Sequence, residues 1–134
     1  MLNSSPVSIQ ELSNAVIRAM NEVYVVLGPG CTESVYRKAI EVQLRIENIS
    51  FESECSIPLK YKGMNISTLR ADLVVEKLLI VELKSVAKLL DQHSIQCNRY
   101  LQHFDMDECI LCNFPTNNSQ TIEYRQIHAR NSAT

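Results

Sequence analysis

The sequence contains no tryptophan, only three glycines, and no apolar run long enough to cross a bilayer. The first ten residues, MLNSSPVSIQ, lack the basic and then apolar order of a secretory signal, so we expect an intracellular protein, cytoplasmic or nuclear, without a membrane partner. Five cysteines show no disulfide-like spacing, which predicts reduced thiols. A net charge of −2 gives no overall field that attracts nucleic acid, so any phosphate contacts must come from a local basic patch.

The rest of the composition is that of an ordinary globular protein. Apolar residues make up 46% of the chain and charged residues 21%, which argues against disorder. A length of 134 residues suits one hydrophobic core. We therefore expect residues 1–134 to form a single domain, with its core over about 9–127 and a frayed C-terminal tail.

Hydrophobic periodicity predicts eight elements of secondary structure. Ser8 and Glu11 form a capping-box pattern for a first helix that ends at Gly28, and a second helix runs from Thr32 to about Glu47. Alternating or continuous apolar runs then predict strands, interrupted by one more helix. The later predicted ranges are strand 51–61, turn 62–65, strands 66–75 and 79–86, helix 89–104, and strands 108–114 and 120–127. The order α-α-β-β-β-α-β-β predicts a layered α/β domain.

Two of the predicted strands carry charge inside apolar runs. Asp72 interrupts one run, and Glu82 and Lys84 interrupt the next, although burying a charge is costly unless it is paired or holds a metal. If the strands form a hairpin in which Val75 pairs with Leu79, Asp72 lies opposite Glu82. The other face of this hairpin is then entirely apolar, with Ala71, Leu73, Val75, Leu79, Val81 and Leu83. A register slip of one residue mixes charge with core on both faces, so the pattern favours the register that brings the carboxylates together.

Paired carboxylates repel each other unless a cation lies between them. Mg²⁺ suits such a pair because it takes oxygen ligands, and the backbone carbonyl of Leu83 offers another donor. Lys84 points to the same side as Glu82 and could orient a water or steady a charged phosphate. These are the parts of metal-assisted phosphodiester hydrolysis. The alternative interpretation is that Arg70–Asp72 and Glu82–Lys84 are ion pairs on a solvent-facing side of the sheet.

The segment from Asp72 to Lys84, with the form D-x9-E-x-K, resembles the PD-(D/E)XK nuclease superfamily. G-x-x-E-x-x-Y at 30–36 is similar to the signature of its GxxExxY branch. Ala71 stands where the superfamily commonly has proline, and this branch typically has the Ala-Asp form. Further segments in the order of the branch are YKG, RADLVV, VELKSV and Q…YL at Gln96, Tyr100 and Leu101. The resemblance covers about residues 9–127 and implies a restriction-endonuclease-like core, with a mixed central sheet flanked by helices.

The resemblance also implies an activity and roles for particular residues. The expected function is Mg²⁺-dependent hydrolysis of nucleic-acid phosphodiester bonds, with Mn²⁺ as a substitute metal. The expected substrate is DNA rather than RNA. The implied catalytic residues are Glu33, Asp72, Glu82, the catalytic lysine Lys84, and Gln96 as a supporting residue. The implied metal ligands are Asp72, Glu82, the carbonyl of Leu83, and Glu33, directly or through water.

Other interpretations of the sequence stay open. One is a non-catalytic module that keeps the fold and binds a protein or nucleic-acid partner, which the small size and acidic net charge favour. Another is a metal-thiolate protein built on Cys97, Cys109 and Cys112, with His93 or His103, although a strand places residues i and i+3 on opposite faces. A homodimer that grips both strands of a duplex is a further option. Basic residues around the proposed site form either a phosphate-binding patch or a solvated rim: Lys60, Lys62, Arg70, Lys84, Lys88 and Arg99.

Overall fold

Helices and strands follow each other in the predicted order. The computed structural model describes residues 8–117 and 119–129, so residues 130–134 of the predicted frayed tail lie outside this part. Within it, the α/β class and the order α-α-β-β-β-α-β-β are confirmed. The elements are α1 (Ile9–Leu27), α2 (Glu33–Ile46), β1 (Phe51–Tyr61), β2 (Met64–Val75), β3 (Leu79–Lys84), α3 (Asp91–Phe104), β4 (Glu108–Asn113) and β5 (Glu123–His128).

Side-chain caps fix where the first two helices begin. Ser8 Oγ accepts a hydrogen bond from the backbone N–H of Glu11 at 3.1 Å, and the Glu11 carboxylate accepts from the Ser8 N–H at 3.0 Å. This reciprocal pair is the predicted capping box. Thr32 caps α2 by accepting from the N–H of Val35 at 3.3 Å. None of the helices in the described ranges has the length and apolar character needed to span a membrane.

The sheet contains both antiparallel and parallel strand pairs. Its order is β1-β2-β3-β4-β5, and every neighbouring pair is antiparallel except β3 and β4. The parallel pair needs a crossover connection, which α3 supplies. The helices α1 and α2 cover one face of the sheet and α3 covers the other, which creates two apolar clusters. The buried sheet residues facing α1 and α2 include Leu73, Val75, Leu79, Val81 and Leu83.

The hairpin of β2 and β3 has the predicted register. Val75 pairs with Leu79, and Leu73 pairs with Val81. The tight connection is made without glycine, since Glu76 and Lys77 both adopt positive φ, at 53° and 57°. The apolar pattern therefore determined the register even though the turn residues are poor ones for such a hairpin.

Side-chain alternation breaks at Asp72, and the predicted apolar face is wrong at Ala71. Ala71 packs with Val74 in the cluster on the α3 side, whereas Leu73 faces α1 and α2. The neighbouring strand changes faces at the same level, because Glu54 has a φ of 52°, in the left-handed region. A left-handed residue within a strand reverses the side to which the following side chains point. Asp72 thus lies where the hairpin changes faces, which period-two reasoning does not foresee.

Candidate active site

The two acidic side chains of the hairpin bind each other's strand. Asp72 Oδ2 accepts a hydrogen bond from the backbone N–H of Leu83 at 2.8 Å. Glu82 Oε1 accepts one from the backbone N–H of Asp72 at 2.9 Å. These bonds continue the strand contact beyond the Leu73–Val81 pair. Among the hydrogen bonds of the described residues, none involves Asp72 Oδ1 or Glu82 Oε2, so each carboxylate keeps one oxygen for another partner.

Burial strongly disfavours the charged form of this pair. Glu82 is only 4% exposed, and burial, aided by the charge of Asp72, raises its pKa to about 9. Burial also raises the pKa of the half-buried Asp72, the Leu83 N–H opposes this rise, and the charge of Glu33 adds to it. Without a cation, Glu82 therefore keeps its proton at neutral pH, and a divalent ion would bind in exchange for that proton.

Lys84 is held beside the carboxylates by helix α3. Its Nζ donates a hydrogen bond to Gln96 Oε1 at 3.2 Å, and Gln96 Nε2 donates to the Tyr100 hydroxyl at 3.4 Å. The ammonium is close enough to Glu82 and Asp72 to lower the pKa of both. The structure thus places the two residues expected as catalytic lysine and support, Lys84 and Gln96, in direct contact.

Glu33 belongs to α2, which packs on the face of the sheet opposite α3. It is the first residue of α2, is exposed, and has a charge that raises the pKa of Asp72. The loop before it is fixed by Tyr36, whose hydroxyl donates to the carbonyl of Gly28 at 2.6 Å and accepts from the N–H of Cys31 at 3.3 Å. The Tyr36 ring stacks on Phe114 at a centroid distance of 4.0 Å. The tyrosine therefore fixes the loop that precedes Glu33, and the Thr32 cap marks the start of α2.

Sequence reasoning missed Arg37, one helical turn after Glu33. Its guanidinium forms ion pairs with Glu41 at 2.7 Å and with Glu54 at 3.4 Å, and it lowers the pKa of Asp72. The i, i+4 spacing of positions 33, 37 and 41 was a signal for one shared helix face. Glu54, on β1, is itself the left-handed residue described above, and its contact with Arg37 was not visible in the sequence.

The donor chemistry of the site fits a hard divalent cation. Asp72 and Glu82 each offer a carboxylate oxygen, and Mg²⁺ commonly binds one or two carboxylates and keeps several waters. No cluster of three or more His, Cys, Asp or Glu side chains arranged to hold a metal occurs in residues 8–117 and 119–129. The residues therefore fit an ion that is completed by water and phosphate oxygens, rather than a closed protein cage.

The cysteines cannot act as one ligand set. Cys97 and Cys109 lie in the apolar cluster beneath α3, whereas Cys112 lies in the cluster beneath α1 and α2. The prediction that Cys109 and Cys112 point to opposite faces of their strand is confirmed, and a site built on all three thiols is wrong. His93 Nδ1 accepts from the backbone N–H of Leu90 at 2.9 Å at the start of α3.

Comparison with known proteins supplies one sequence match and a shared fold. A family model described as the PD-(D/E)XK nuclease superfamily matches residues 10–126. No curated protein matches the sequence. The fold is similar to the solved structure of SSO0001, with a TM-score of 0.57 and 20% identity over 74% of this chain and 50% of that one, so this chain spans about half its length. A phage-related exonuclease from Haemophilus somnus 129PT gives a TM-score of 0.46 and 11% identity over 95% of this chain and 80% of that one.

Proposed function

The chain belongs to the PD-(D/E)XK nuclease superfamily, and from this membership we propose that it hydrolyses nucleic-acid phosphodiester bonds with Mg²⁺. The proposed substrate is DNA rather than RNA. The observation that carries the proposal is the hydrogen-bond exchange of Asp72 and Glu82 with each other's strand. It holds two carboxylates together at a cost in desolvation that a bound cation offsets. Placement in the GxxExxY branch is part of the same proposal and is supported by the loop that Tyr36 fixes ahead of Glu33.

Each residue of the site has a proposed task. Asp72 and Glu82 would hold the ion through the oxygens that make no described hydrogen bond, and the carbonyl of Leu83 would be a further ligand. When bound, Mg²⁺ polarises the phosphate and makes its water more acidic. Lys84 stabilises the charge that develops on the phosphate or orients the attacking water, with its ammonium positioned by Gln96.

Glu33 completes the site from α2. Its exposure leaves the carboxylate free to accept a hydrogen bond from a water of the ion's hydration shell. This indirect role agrees with its electrostatic, rather than hydrogen-bonded, relation to Asp72. We therefore expect Glu33→Gln to weaken catalysis less than a change at Asp72.

A cleavage assay with added Mg²⁺ or Mn²⁺ tests the proposed function. Duplex DNA, single-stranded DNA and RNA are compared, with EDTA as the metal-free control. Asp72→Asn and Glu82→Gln should each lower the rate by at least about 100-fold without lowering the melting temperature measured in EDTA. Glu52→Gln is a matched control, because Glu52 is an exposed acid on the adjacent strand. Wild-type rates in both site variants would exclude this mechanism.

One observation favours a second candidate, a non-catalytic module that binds a protein or nucleic-acid partner. The carboxylates of Asp72 and Glu82 each accept a hydrogen bond from a backbone N–H, a structural role that needs no metal. Titration with Mn²⁺ separates the two candidates. A catalytic site binds the ion in a manner that depends on Asp72, whereas binding that is unchanged in Asp72→Asn would favour the non-catalytic module.

A further inference from the structure

The β1–β2 hairpin extends well past β3, the strand that carries Glu82 and Lys84. β1 and β2 contain 11 and 12 residues, whereas β3 contains 6. Asp72 lies next to the part of β2 that pairs with β3, and from there the hairpin continues to a turn at Lys62 and Gly63. We call residues 57–69 the arm. Asp72 and Met64 are eight positions apart in β2, so the arm reaches up to roughly 26 Å from the candidate site.

The end of the arm is apolar and exposed. Tyr61 is 60% exposed, Met64 69% and Ile66 62%. Three large apolar side chains therefore lie within six residues. Their exposure to water is unfavourable, and their burial against a partner would be favourable. The register shift between Leu59 and Lys60 gives this end of the hairpin an additional twist.

The arm is also basic in a chain whose net charge is −2. Lys60 and Lys62 flank Tyr61, and residues 55–71 contain no acidic residue. The ammonium of Lys62 lies over the Tyr61 ring, 5.4 Å from its centroid. The arm thus combines positive charge with an exposed aromatic face, the two features that bind phosphates and bases.

We propose that the arm binds the substrate nucleic acid at a distance from the scissile bond. Lys60 and Lys62 contact phosphates, and Tyr61 and Met64 pack on sugars or bases. At about 3.4 Å per nucleotide, these contacts lie roughly seven or eight nucleotides from the bond held at Asp72. The proposal rests on the proposed function, since it assigns a binding surface to the same substrate.

The structure argues against two other occupants of the arm. A strand added to the outer edge would meet Pro58, which has no N–H to donate and lies on the edge strand β1. A second copy of the arm would bring Lys60 and Lys62 against their own counterparts, with no acid in residues 55–71 to neutralise them. A polyanion satisfies both the charge and the exposed aromatic face.

The test compares two double variants that remove the same charge. Lys60→Gln with Lys62→Gln alters the arm, whereas Lys38→Gln with Lys77→Gln alters exposed lysines elsewhere. Binding of a fluorescent duplex is measured in EDTA over a range of salt concentrations. The arm variant should reduce the slope of log K against log salt by about 2, since each phosphate contact contributes about 0.9, and the control should leave the slope unchanged.

Cleavage of short and long DNA separates the arm from the catalytic site. The arm variant should lower kcat/KM about tenfold on a substrate of about 20 nucleotides and leave a substrate of about 5 nucleotides unaffected, because only the longer one reaches the arm. Equal behaviour of arm and control variants, with active wild-type protein, would overturn the arm proposal alone. Wild-type protein that neither binds nor cleaves any nucleic acid would overturn both proposals. Arm variants that turn a dimer into a monomer with unchanged DNA affinity would show an interface between copies instead.

Discussion

Asp72 and Glu82 are joined through the backbone, because the N–H of Asp72 donates to the Glu82 carboxylate at 2.9 Å while Asp72 itself binds the N–H of Leu83. The two acids therefore hold each other's position without a direct contact between their oxygens being required. Positioning of this kind reduces the reorganisation needed when a cation binds. Because burial favours the protonated form of Glu82, the stability of the metal-free protein should depend on pH.

The stability of the metal-free protein should fall as pH rises. Glu82 in the folded protein keeps its proton up to about pH 9, whereas the unfolded chain loses it near 4.5. Between these values the folded state binds more protons, so the free energy of unfolding decreases with pH, by at most about 1.4 kcal/mol per pH unit. Thermal or urea unfolding in EDTA measures this slope.

Glu82→Gln is the control for that slope. The neutral amide has no proton to lose, so the variant should show a flatter pH profile and a higher melting temperature than wild-type protein near pH 9. Saturating Mg²⁺ should restore wild-type stability at that pH, because the ion favours the charged carboxylates. Identical profiles for the two proteins in EDTA would show that folding does not keep Glu82 protonated.

Gln96→Ala should lower kcat about tenfold and leave Mn²⁺ affinity unchanged, since the hydrogen bonds of Gln96 go to the Lys84 ammonium and the Tyr100 hydroxyl. Gln96→Glu keeps an acceptor for Lys84 and should retain more activity. Gln102→Ala, at an exposed position on the same helix, is the matched control. Loss of Mn²⁺ binding in Gln96→Ala would mean that the glutamine supports the metal ligands rather than the lysine.

Tyr36→Phe should destabilise the protein by about 1–2 kcal/mol, because it removes the hydroxyl that binds Gly28 and Cys31 and keeps the stacked ring. Catalysis should also decrease, since the loop no longer fixes Glu33. Tyr124→Phe changes an exposed hydroxyl and controls for the substitution itself. Activity that survives in Tyr36→Phe together with reduced stability would remove Glu33 from the mechanism.

Lys77→Gly should stabilise the protein by roughly 0.5–1 kcal/mol. Lys77 has a φ of 57° in the tight turn between β2 and β3, a conformation that costs free energy for a residue with a Cβ and little for glycine. Chemical unfolding measures the gain, and Lys77→Ala, which keeps the Cβ, should show none. Equal stability of the glycine and alanine variants would show that the turn is unstrained.

The sequence predicted most of the architecture because its signals are local. The Ser8 capping box set the start of α1, and the apolar pattern around Val75 and Leu79 set the hairpin register. Boundaries differ by up to three residues, as where α3 begins at Asp91 instead of 89 and β5 at Glu123 instead of 120. These differences leave the position of the site unchanged.

The remaining features of the site depend on contacts distant in the sequence. The change of faces at Asp72 is matched by the left-handed Glu54 on another strand, and Arg37 forms an ion pair with this same glutamate. Neither leaves a periodic signal in the chain. Roles for Glu33 and Gln96 came from resemblance alone, because an acid at a helix start and a glutamine on an amphipathic helix have common structural explanations.

The most direct test is a crystal of the protein soaked with Mn²⁺ and measured for anomalous scattering. We expect a peak within about 2.2 Å of one oxygen each of Asp72 and Glu82, with Lys84 beside it and no peak in an Asp72→Asn crystal. A fully soaked crystal with no ion between these carboxylates, or with the ion bound elsewhere, would contradict the proposed metal-dependent site.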